Sequence, residues 1–154
     1  MMDADATGSI AQIMVVDDDL DTVTILTRYL QREGFATIEA LSGPQCLRLL
    51  AEHHVDVILL DLMMPEMDGF EVVRALKNNP ATAEIPIIMV TARDDIEARA
   101  EGMRVGVSDF LAKPVFRKQL ANRIKSQLDT IATARAIDDA LSRIEVASDG
   151  VPKK

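Results

Sequence analysis

The hydrophobic pattern of the chain alternates between short apolar runs and longer stretches in which apolar residues recur every three or four positions. Three of the short runs are almost continuously hydrophobic, which is typical of strands buried on both faces of a parallel sheet. The pattern therefore predicts five strands. They cover Gln12–Val16, Ala36–Ala40, Val55–Leu60, Ile85–Val90 and Ser108–Ala112.

Helical patterns separate the five runs. The first helical pattern stops before Gly34 and the third before Pro80, two residue types that commonly follow helices. For the fourth, Thr91 or Asp94 is the expected N-cap. The regular alternation of strand and helix predicts a doubly wound α/β sheet with right-handed crossovers. The predicted helices are Leu20–Arg32, Pro44–His53, Gly69–Asn78, Asp94–Val105 and a long last helix from near Val115.

The last helical pattern continues far beyond the fifth strand, to about Val146, and its apolar residues step by threes and fours. Because the far end has no core of its own to cover, we expect a long amphipathic helix with an exposed apolar stripe, which usually marks an interface. The stripe would form a coiled-coil-like homodimer contact or dock on a partner, although Arg135 and Asp138 interrupt a strict heptad. A solvated or folded-back helix is the alternative. The stepping residues are Leu120, Ile124, Leu128, Ile131, Ala134, Ile137, Leu141 and Ile144.

The composition fits one domain with a sizeable aliphatic core, since the chain has 154 residues of which 48% are hydrophobic and 3% aromatic. The net charge of −8 argues against binding nucleic acid through a general basic surface. No apolar stretch approaches the ~20 residues of a membrane span. The single cysteine, Cys46, excludes an internal disulfide, and we see no signal peptide. We therefore expect a cytoplasmic protein.

Polar residues follow four of the five predicted strands at the same end. Asp17 and Asp18 follow the first strand, Asp61 the third, Thr91 the fourth and Lys113 the fifth. In a doubly wound sheet, ligands bind at the carboxyl ends of the strands, so these side chains would share one pocket. Clustered carboxylates repel each other unless a cation such as Mg²⁺ offsets their charge. A carboxylate beside Mg²⁺ can accept a phosphoryl group, while a lysine and a hydroxyl neutralise further charge.

Four motifs close these strands in order, and together they resemble the receiver domains of bacterial two-component response regulators, the family that includes the chemotaxis response regulator. The resemblance covers roughly Gln12–Leu128 and implies a flavodoxin-like fold with strand order 2-1-3-4-5. The motifs are Met14–Asp19, Val57–Gly69, Ile87–Ala92 and Asp109–Pro114. With the helical pattern, the resemblance divides the chain into a disordered tail at 1–10, a receiver domain at 11–128, a helical extension for dimerisation or linkage at 129–147, and a disordered tail at 148–154.

The resemblance assigns roles to the acidic residues by position. Asp61 resembles the phosphoacceptor, which would also contact the metal. Asp18 resembles the carboxylate that binds Mg²⁺ directly, and Asp17 its partner, which would contact the ion directly or through water. Met63 would lend the metal only its backbone carbonyl, so its side chain is free to vary.

The resemblance also assigns roles around the expected phosphate. Thr91 resembles the hydroxyl, and Lys113 the ammonium, that contact the phosphoryl group, and the peptide bond between Lys113 and Pro114 is expected to be cis. Thr91 and Phe110 occupy the switch positions of the family. Many family members carry Tyr where this chain has Phe110, so the hydroxyl is missing, and we expect a half-buried packing residue that also moves. Arg93 flanks the phosphate at a position that tunes phosphoryl lifetime in the family.

As a whole, the resemblance implies a phosphorylation-dependent switch of a two-component system. A histidine kinase or phosphotransfer protein would donate the phosphoryl group to Asp61. The change would pass through the face of the fourth helix, fifth strand and fifth helix to a downstream protein target or an output domain. Enzymatic activity would be limited to self-phosphorylation and slow self-dephosphorylation. The chain would be either a stand-alone receiver or part of a longer regulator.

Two other functions fit parts of the sequence. The stretch from Asp19 to Val23 matches the D-x-D-x-[TV] pattern of haloacid-dehalogenase-like phosphatases. That pattern should directly follow a strand, whereas Asp17 and Asp18 intervene here, and Asp19 is the expected N-cap of the next helix. The third hypothesis is a receiver-like module that no longer accepts phosphate, and the complete set of acidic, threonine and lysine residues argues against it.

Overall fold

The computed structural model describes residues 10–93 and 95–149, with side chains described up to residue 144. Asp94, one of the two expected N-caps, lies outside these ranges, and so do most residues of the two tails expected at 1–10 and 148–154. The predicted α/β architecture lies almost entirely within the described residues.

Within the described residues, the sheet has five parallel strands: β1 (Gln12–Val16), β2 (Ala36–Ala40), β3 (Val57–Leu60), β4 (Ile87–Thr91) and β5 (Asp109–Ala112). Hydrogen-bonded neighbours follow the order β2-β1-β3-β4-β5, which confirms the expected fold. The chain winds outward in opposite directions from β1 and β3. The carboxyl ends of these two strands therefore flank the crevice in which doubly wound sheets bind ligands.

The predicted starts of β3 and β4 are each two residues too early. Asp56 turns back toward the start of β1, where its Oδ2 accepts a hydrogen bond from the backbone N–H of Gln12 at 2.8 Å. Pro86 has no N–H to give to a ladder, and its carbonyl instead accepts a bond from the Ile58 N–H at 3.0 Å. Local hydrogen bonding, rather than hydrophobicity, therefore sets where these strands begin.

In the described part of the chain, five helices cover the two faces of the sheet. Alternate residues of β1 face opposite sides, because side chains alternate along a strand. Ile13 and Val15 pack in the cluster that contains the first and last helices, whereas Met14 and Val16 pack in the cluster that contains the three middle helices. The helices are α1 (Leu20–Arg32), α2 (Gly43–Leu50), α3 (Gly69–Lys77), α4 (Ile96–Val105) and α5 (Arg117–Asp149).

The helix ends show which polar residues act as caps. α1 stops as predicted before Gly34, whose φ of +92° suits glycine. The N-cap of α4 is Asp95, whose side chain accepts a bond from the Ala98 N–H at 2.7 Å. The expectation that Thr91 caps this helix is therefore wrong, because Thr91 belongs to β4 and pairs with Ala112 of β5.

Besides the start of α4, two helix boundaries differ from the sequence pattern by two residues or more. α2 ends at Leu50 rather than His53, since Glu52 donates to the Leu49 carbonyl at 3.1 Å and the chain tightens into a turn. α5 begins at Arg117, after a short segment that follows the fifth strand. Neither difference moves a residue of the predicted pocket.

α5 continues to Asp149, so the predicted long last helix is confirmed. Its first turns are anchored in the core, where Leu120 and Ile124 are fully buried. Most side chains from Asp129 to Ile144 are exposed, as expected for a helix that extends past the domain. Among the residues that the structure describes, no helix is long and apolar enough to cross a membrane.

Candidate functional site

The carboxyl ends of β1 and β3 bring three predicted acidic residues together. Asp17, Asp18 and Asp61 each offer a carboxylate oxygen, and these oxygens lie within 4.8 Å of one another. Asp17 and Asp61 are buried, with 2% and 5% of their surface exposed, whereas Asp18 is exposed. The pocket therefore has a buried floor and a side open to solvent.

Backbone hydrogen bonds of the sheet hold the two buried acids in place. The Asp61 N–H donates to the Val16 carbonyl at 2.9 Å, and the Asp17 N–H donates to the Ala40 carbonyl at 3.1 Å. Both residues thus continue the ladders of their strands by one bond. Because these bonds tie the two acids directly to the ends of the strands, the sheet sets the separation of their carboxylates.

Lys113 lies between the two buried carboxylates. Its Nζ donates to Asp17 Oδ2 at 2.7 Å and lies 3.5 Å from Asp61 Oδ2. Partial burial by itself would lower the pKa of Lys113, but the hydrogen bond to Asp17 and the charge of Asp61 raise it above its usual range. The ammonium stays protonated at neutral pH. The peptide bond that follows, between Lys113 and Pro114, is cis as expected.

Burial raises the pKa of Asp61 above its usual range, and the neighbouring charge of Asp17 raises it further. Lys113 offsets part of this effect, together with a hydrogen bond from the Met63 N–H at 3.3 Å and one from Thr91. Asp61 is thus a carboxylate at which a negative charge is costly. A cation, or a ligand that spreads that charge, would relieve the cost.

The predicted hydroxyl also reaches the pocket. Thr91 ends β4, is fully buried and hydrogen-bonds to Asp61. Its Oγ1 also accepts a bond from the Arg93 N–H at 3.2 Å, which turns the chain sharply after the strand. The hydroxyl therefore connects the buried acid to the loop before α4.

Phe110 is more deeply buried than expected, with only 6% of its surface exposed. The Arg99 guanidinium of α4 lies 5.0 Å above the ring centroid, within the range of a cation–π contact. Gly102 faces the ring edge, where an added Cβ would lie 3.4 Å from a ring carbon. Sequence reasoning missed Arg99, because no local pattern links a helix residue to an aromatic ring eleven positions later.

Gly69 is a second residue that sequence reasoning missed as part of the site. Its N–H donates to the Leu62 carbonyl at 2.9 Å, so the start of α3 lies directly against the chain that leaves β3. A Cβ at this position would lie 2.6 Å from the Asp61 carbonyl oxygen and 2.8 Å from the Leu62 Cα. The Asp-Gly pair at the end of the loop was the available signal, since such glycines often allow close backbone contact.

The geometry also describes two further residues singled out in the sequence. Asp19 is the N-cap residue of α1, but its side chain accepts a bond from the Thr22 hydroxyl at 2.6 Å and makes no capping bond to the helix backbone. Met63 follows Asp61 closely, and its side chain is 58% exposed. Its backbone N–H donates to Asp61 Oδ1 at 3.3 Å, so the backbone of Met63 lies beside the acidic pocket.

The pKa of Asp61 leads to a prediction about stability. The folded protein binds the Asp61 proton more tightly than the unfolded chain, so stability rises as pH falls from the folded pKa toward the ordinary value of about 3.9. Without divalent cations, Asp61→Asn should therefore be more stable than wild type at neutral pH, and the difference should shrink as pH approaches 4. Urea unfolding across this range measures it. Asp139→Asn, on the exposed extension, should stay within about 0.5 kcal/mol of wild type, and an unchanged Asp61→Asn difference across pH would contradict the argument.

The five-stranded parallel sheet and the acidic pocket at its carboxyl edge define a protein of the CheY-like receiver class. Solved structures agree with this class. The chemotaxis protein CheY4 of Vibrio cholerae superimposes with a TM-score of 0.74 at 30% identity, covering 77% of this chain and 98% of that one. A CheY-like receiver domain protein from Methanospirillum hungatei gives a TM-score of 0.75 at 27% identity. The superposition covers 82% of this chain and 99% of that one.

Residues 13–125 match the response regulator receiver domain family, and the chain belongs to that family. The response regulator PleD of Caulobacter vibrioides is 43% identical over 116 residues, which cover 75% of this chain and 26% of PleD. The transcriptional regulatory protein ResD of Bacillus subtilis is 39% identical over 117 residues, which cover 76% of this chain and 48% of ResD. The match thus spans about a quarter to a half of these curated relatives.

Proposed function

We propose that this receiver domain is a phosphorylation-dependent switch that accepts a phosphoryl group on Asp61 from a histidine kinase or phosphotransfer protein. The observation that carries the proposal is the position of Lys113 Nζ, 2.7 Å from Asp17 and 3.5 Å from Asp61. A fixed ammonium beside a buried nucleophilic carboxylate supports phosphoryl transfer, which depends mainly on positioning and charge neutralisation.

In the proposed reaction, a carboxylate oxygen of Asp61 forms a bond to phosphorus while the bond between phosphorus and the donor histidine breaks. Lys113 pairs with a phosphoryl oxygen that replaces part of its contact with Asp61. The Thr91 hydroxyl and the Met63 N–H lie close enough to Asp61 to donate to the same group. The enzymatic activity of the chain is limited to self-phosphorylation and self-dephosphorylation.

The acidic pocket fits Mg²⁺ by the chemistry of its donors. Mg²⁺ prefers oxygen ligands and usually keeps several waters, and the three carboxylates on this edge leave one side open to solvent. Asp18 and Asp61 would bind the ion, Asp17 would contact it directly or through water, and Met63 would contribute its carbonyl oxygen. When bound, Mg²⁺ neutralises charge on the transferred group and on the acids.

For signalling, we propose the face formed by α4, β5 and α5. Thr91 and Phe110 connect the pocket to this face, and the ring of Phe110 contacts Arg99 of α4. α4 also carries two large exposed hydrophobic side chains, Ile96 at 84% and Met103 at 71%, which are available to a partner. The downstream component would be a separate protein target or an output domain.

The extension of α5 beyond residue 128 has two proposed uses. It contacts a second copy of the chain, or it links the receiver to an output domain of a longer regulator. The second use is supported by relatives that are two to four times longer than the matched region. We also propose that the protein works in the cytoplasm.

The haloacid-dehalogenase-like alternative is less well supported by the geometry. Asp19 and Asp21, which match that pattern, do not belong to the cluster of acidic oxygens found among the described residues. Asp19 instead bonds to Thr22 in the first turn of α1. The pattern is therefore explained by the start of a helix.

The proposed function is tested by incubating the protein with Mg²⁺ and acetyl phosphate, followed by intact mass spectrometry and peptide mapping. We expect one phosphoryl adduct, located on Asp61 and absent when Mg²⁺ is chelated. A protein that stays unmodified under these conditions, with an intact fold by circular dichroism, would contradict the proposal.

Mg²⁺ binding predicts a second, independent signal. A ligand that binds only the folded state stabilises it by RT ln(1 + [L]/Kd), which is about 1.4 kcal/mol at ten times Kd. Mg²⁺ should therefore raise the thermal midpoint of wild type, and Asp18→Asn should remove most of that rise. Asp21→Asn, which changes an exposed acid of α1, should keep it. An equal Mg²⁺ response in both variants would show that the ion binds elsewhere.

A further inference from the structure

We infer that the extension of α5 associates in parallel with the same segment of a second copy of this chain, through a face that differs from the one packed on the receiver. The face consists of an apolar row with a charge-free border on one side. The row is Ala134, Ile137, Leu141 and Ile144, and the border is Thr133 and Ala140. This inference deepens the proposed use of the extension and does not depend on phosphoryl chemistry at Asp61.

The apolar row does not continue the core-facing side of α5. An α-helix turns by about 100° per residue, since it has 3.6 residues per turn. By this rule Leu120 and Leu128 lie within roughly 40° of Ile124, on the side that packs on the sheet, whereas the centre of the apolar row is rotated from Ile124 by roughly 120°. Ala134 borders the groove between the extension and the receiver, whereas the three large residues of the row point away from the receiver and leave room for another helix beside them.

The core-facing side itself becomes polar where the receiver ends. Arg135, Asp138 and Ser142 occupy it, and all three are exposed. Arg135 and Asp138 were the residues that appeared to interrupt the heptad, but that conclusion assumed a single continuous stripe. Neither residue belongs to the apolar row, since Arg135 lies across the helix from it and Asp138 only flanks it, so they do not interrupt it.

The apolar row has the spacing of a coiled-coil seam. Ala134, Ile137, Leu141 and Ile144 follow steps of three, four and three, which place them at a, d, a and d positions. Three of these side chains are large and about half exposed or more: Ile137 at 54%, Leu141 at 52% and Ile144 at 63%. A second identical row would cover them layer by layer, with each residue against its own copy.

The charges beside the row favour the parallel orientation. Asp138 flanks the seam at an e position, whereas the g positions carry Thr133 and Ala140. In a parallel pair, e faces g of the partner, so Asp138 meets no like charge. In an antiparallel pair, Ile137 of one copy would pack against Leu141 of the other. That arrangement would bring the two Asp138 side chains close together, where like charges repel.

The assembly should be reversible, because the row spans only about two heptads, fewer than the three to four that define an independent coiled coil. Leucine at a and isoleucine at d also favour four strands in parallel coiled coils. Assemblies of two or of four copies would both be built from the inferred contact.

Sedimentation velocity of the full chain over a range of concentrations tests the contact. We expect a shift from monomer to a dimer or tetramer as concentration rises, without Mg²⁺ or phosphoryl donor. The double variant Ile137→Glu with Leu141→Glu should stay monomeric. The matched control, Ala136→Glu with Ser142→Glu, adds the same two charges on other sides of the same turns and should assemble like wild type.

Disulfide trapping tests the orientation. Ala134→Cys and Leu141→Cys, made singly, should each cross-link to their own copy in a parallel assembly, whereas an antiparallel pair could trap only one of them. The native Cys46 does not compete, since it is buried and burial raises its thiol pKa to about 12. Trapping of only one variant, or a wild type that stays monomeric at all concentrations, would overturn the inference. Beryllofluoride binding at Asp61, measured on the same variants, shows separately whether the phosphoacceptor site is intact.

Discussion

Asp61→Asn is expected to abolish phosphorylation by acetyl phosphate, with a loss on the order of 10²-fold or more in adduct formation. An amide lacks the charged oxygen that attacks phosphorus, and carboxylate nucleophiles act through that oxygen. The substitution conserves size and should leave the fold intact, because Asp61 is held by backbone bonds to β1 that asparagine also makes. Intact mass spectrometry after a fixed time measures the loss.

The control for this prediction is Asp19→Asn, which changes an acid of the loop that follows β1. Asp19 lies outside the cluster of acidic oxygens and bonds to Thr22, so its variant should be phosphorylated at close to the wild-type yield. If Asp61→Asn still acquired the adduct while Asp19→Asn lost it, the phosphoacceptor would be Asp19 and the phosphatase-like hypothesis would replace the receiver mechanism. Comparable phosphoryl adducts on both variants would indicate nonspecific phosphorylation of other residues.

Much of the pocket could be predicted from the sequence, because its residues follow strands and parallel strands end at one edge. Asp17, Asp61, Thr91 and Lys113 each come directly after a hydrophobic run or end it. The topology then brings them together without further information, since Lys113 reaches Asp17 across 96 positions of the chain. A pocket predicted from such a pattern keeps the same residues even when the start of a strand is predicted two residues too early.

The residues that sequence reasoning missed act through tertiary contacts. Arg99 contacts Phe110 only because α4 packs beside β5, and the pattern of α4 alone gives no reason to select Arg99 among its charged residues. The offset of the apolar row on α5 was missed for a related reason. A run of threes and fours looks like one stripe until the structure shows where the receiver ends and the core-facing side becomes polar.

The replacement Gly69→Ala is expected to destabilise the fold strongly. The added Cβ would lie 2.6 Å from the Asp61 carbonyl oxygen and 2.8 Å from the Leu62 Cα, and both contacts are with backbone that cannot rotate away. Overpacking of this kind typically costs about 1–3 kcal/mol, and we expect the upper end because two backbone atoms are involved. For a chain of this size that corresponds to a fall in thermal midpoint of roughly 6–12 °C.

Gly34→Ala is the matched control, because it adds the same methyl group at a position where no atom lies within 4 Å. Its φ of +92° still disfavours alanine, so a cost of about 1 kcal/mol is expected from backbone conformation alone. The stability that Gly69→Ala loses beyond the loss in Gly34→Ala then measures the cost of the close approach between α3 and the Asp61 backbone. Because that approach positions the phosphoacceptor, Gly69→Ala should also lower the adduct yield at temperatures where it is folded, whereas Gly34→Ala should not. Equal stability losses in the two variants would mean that the chain after β3 moves freely to admit the methyl group, and that the sheet alone positions Asp61.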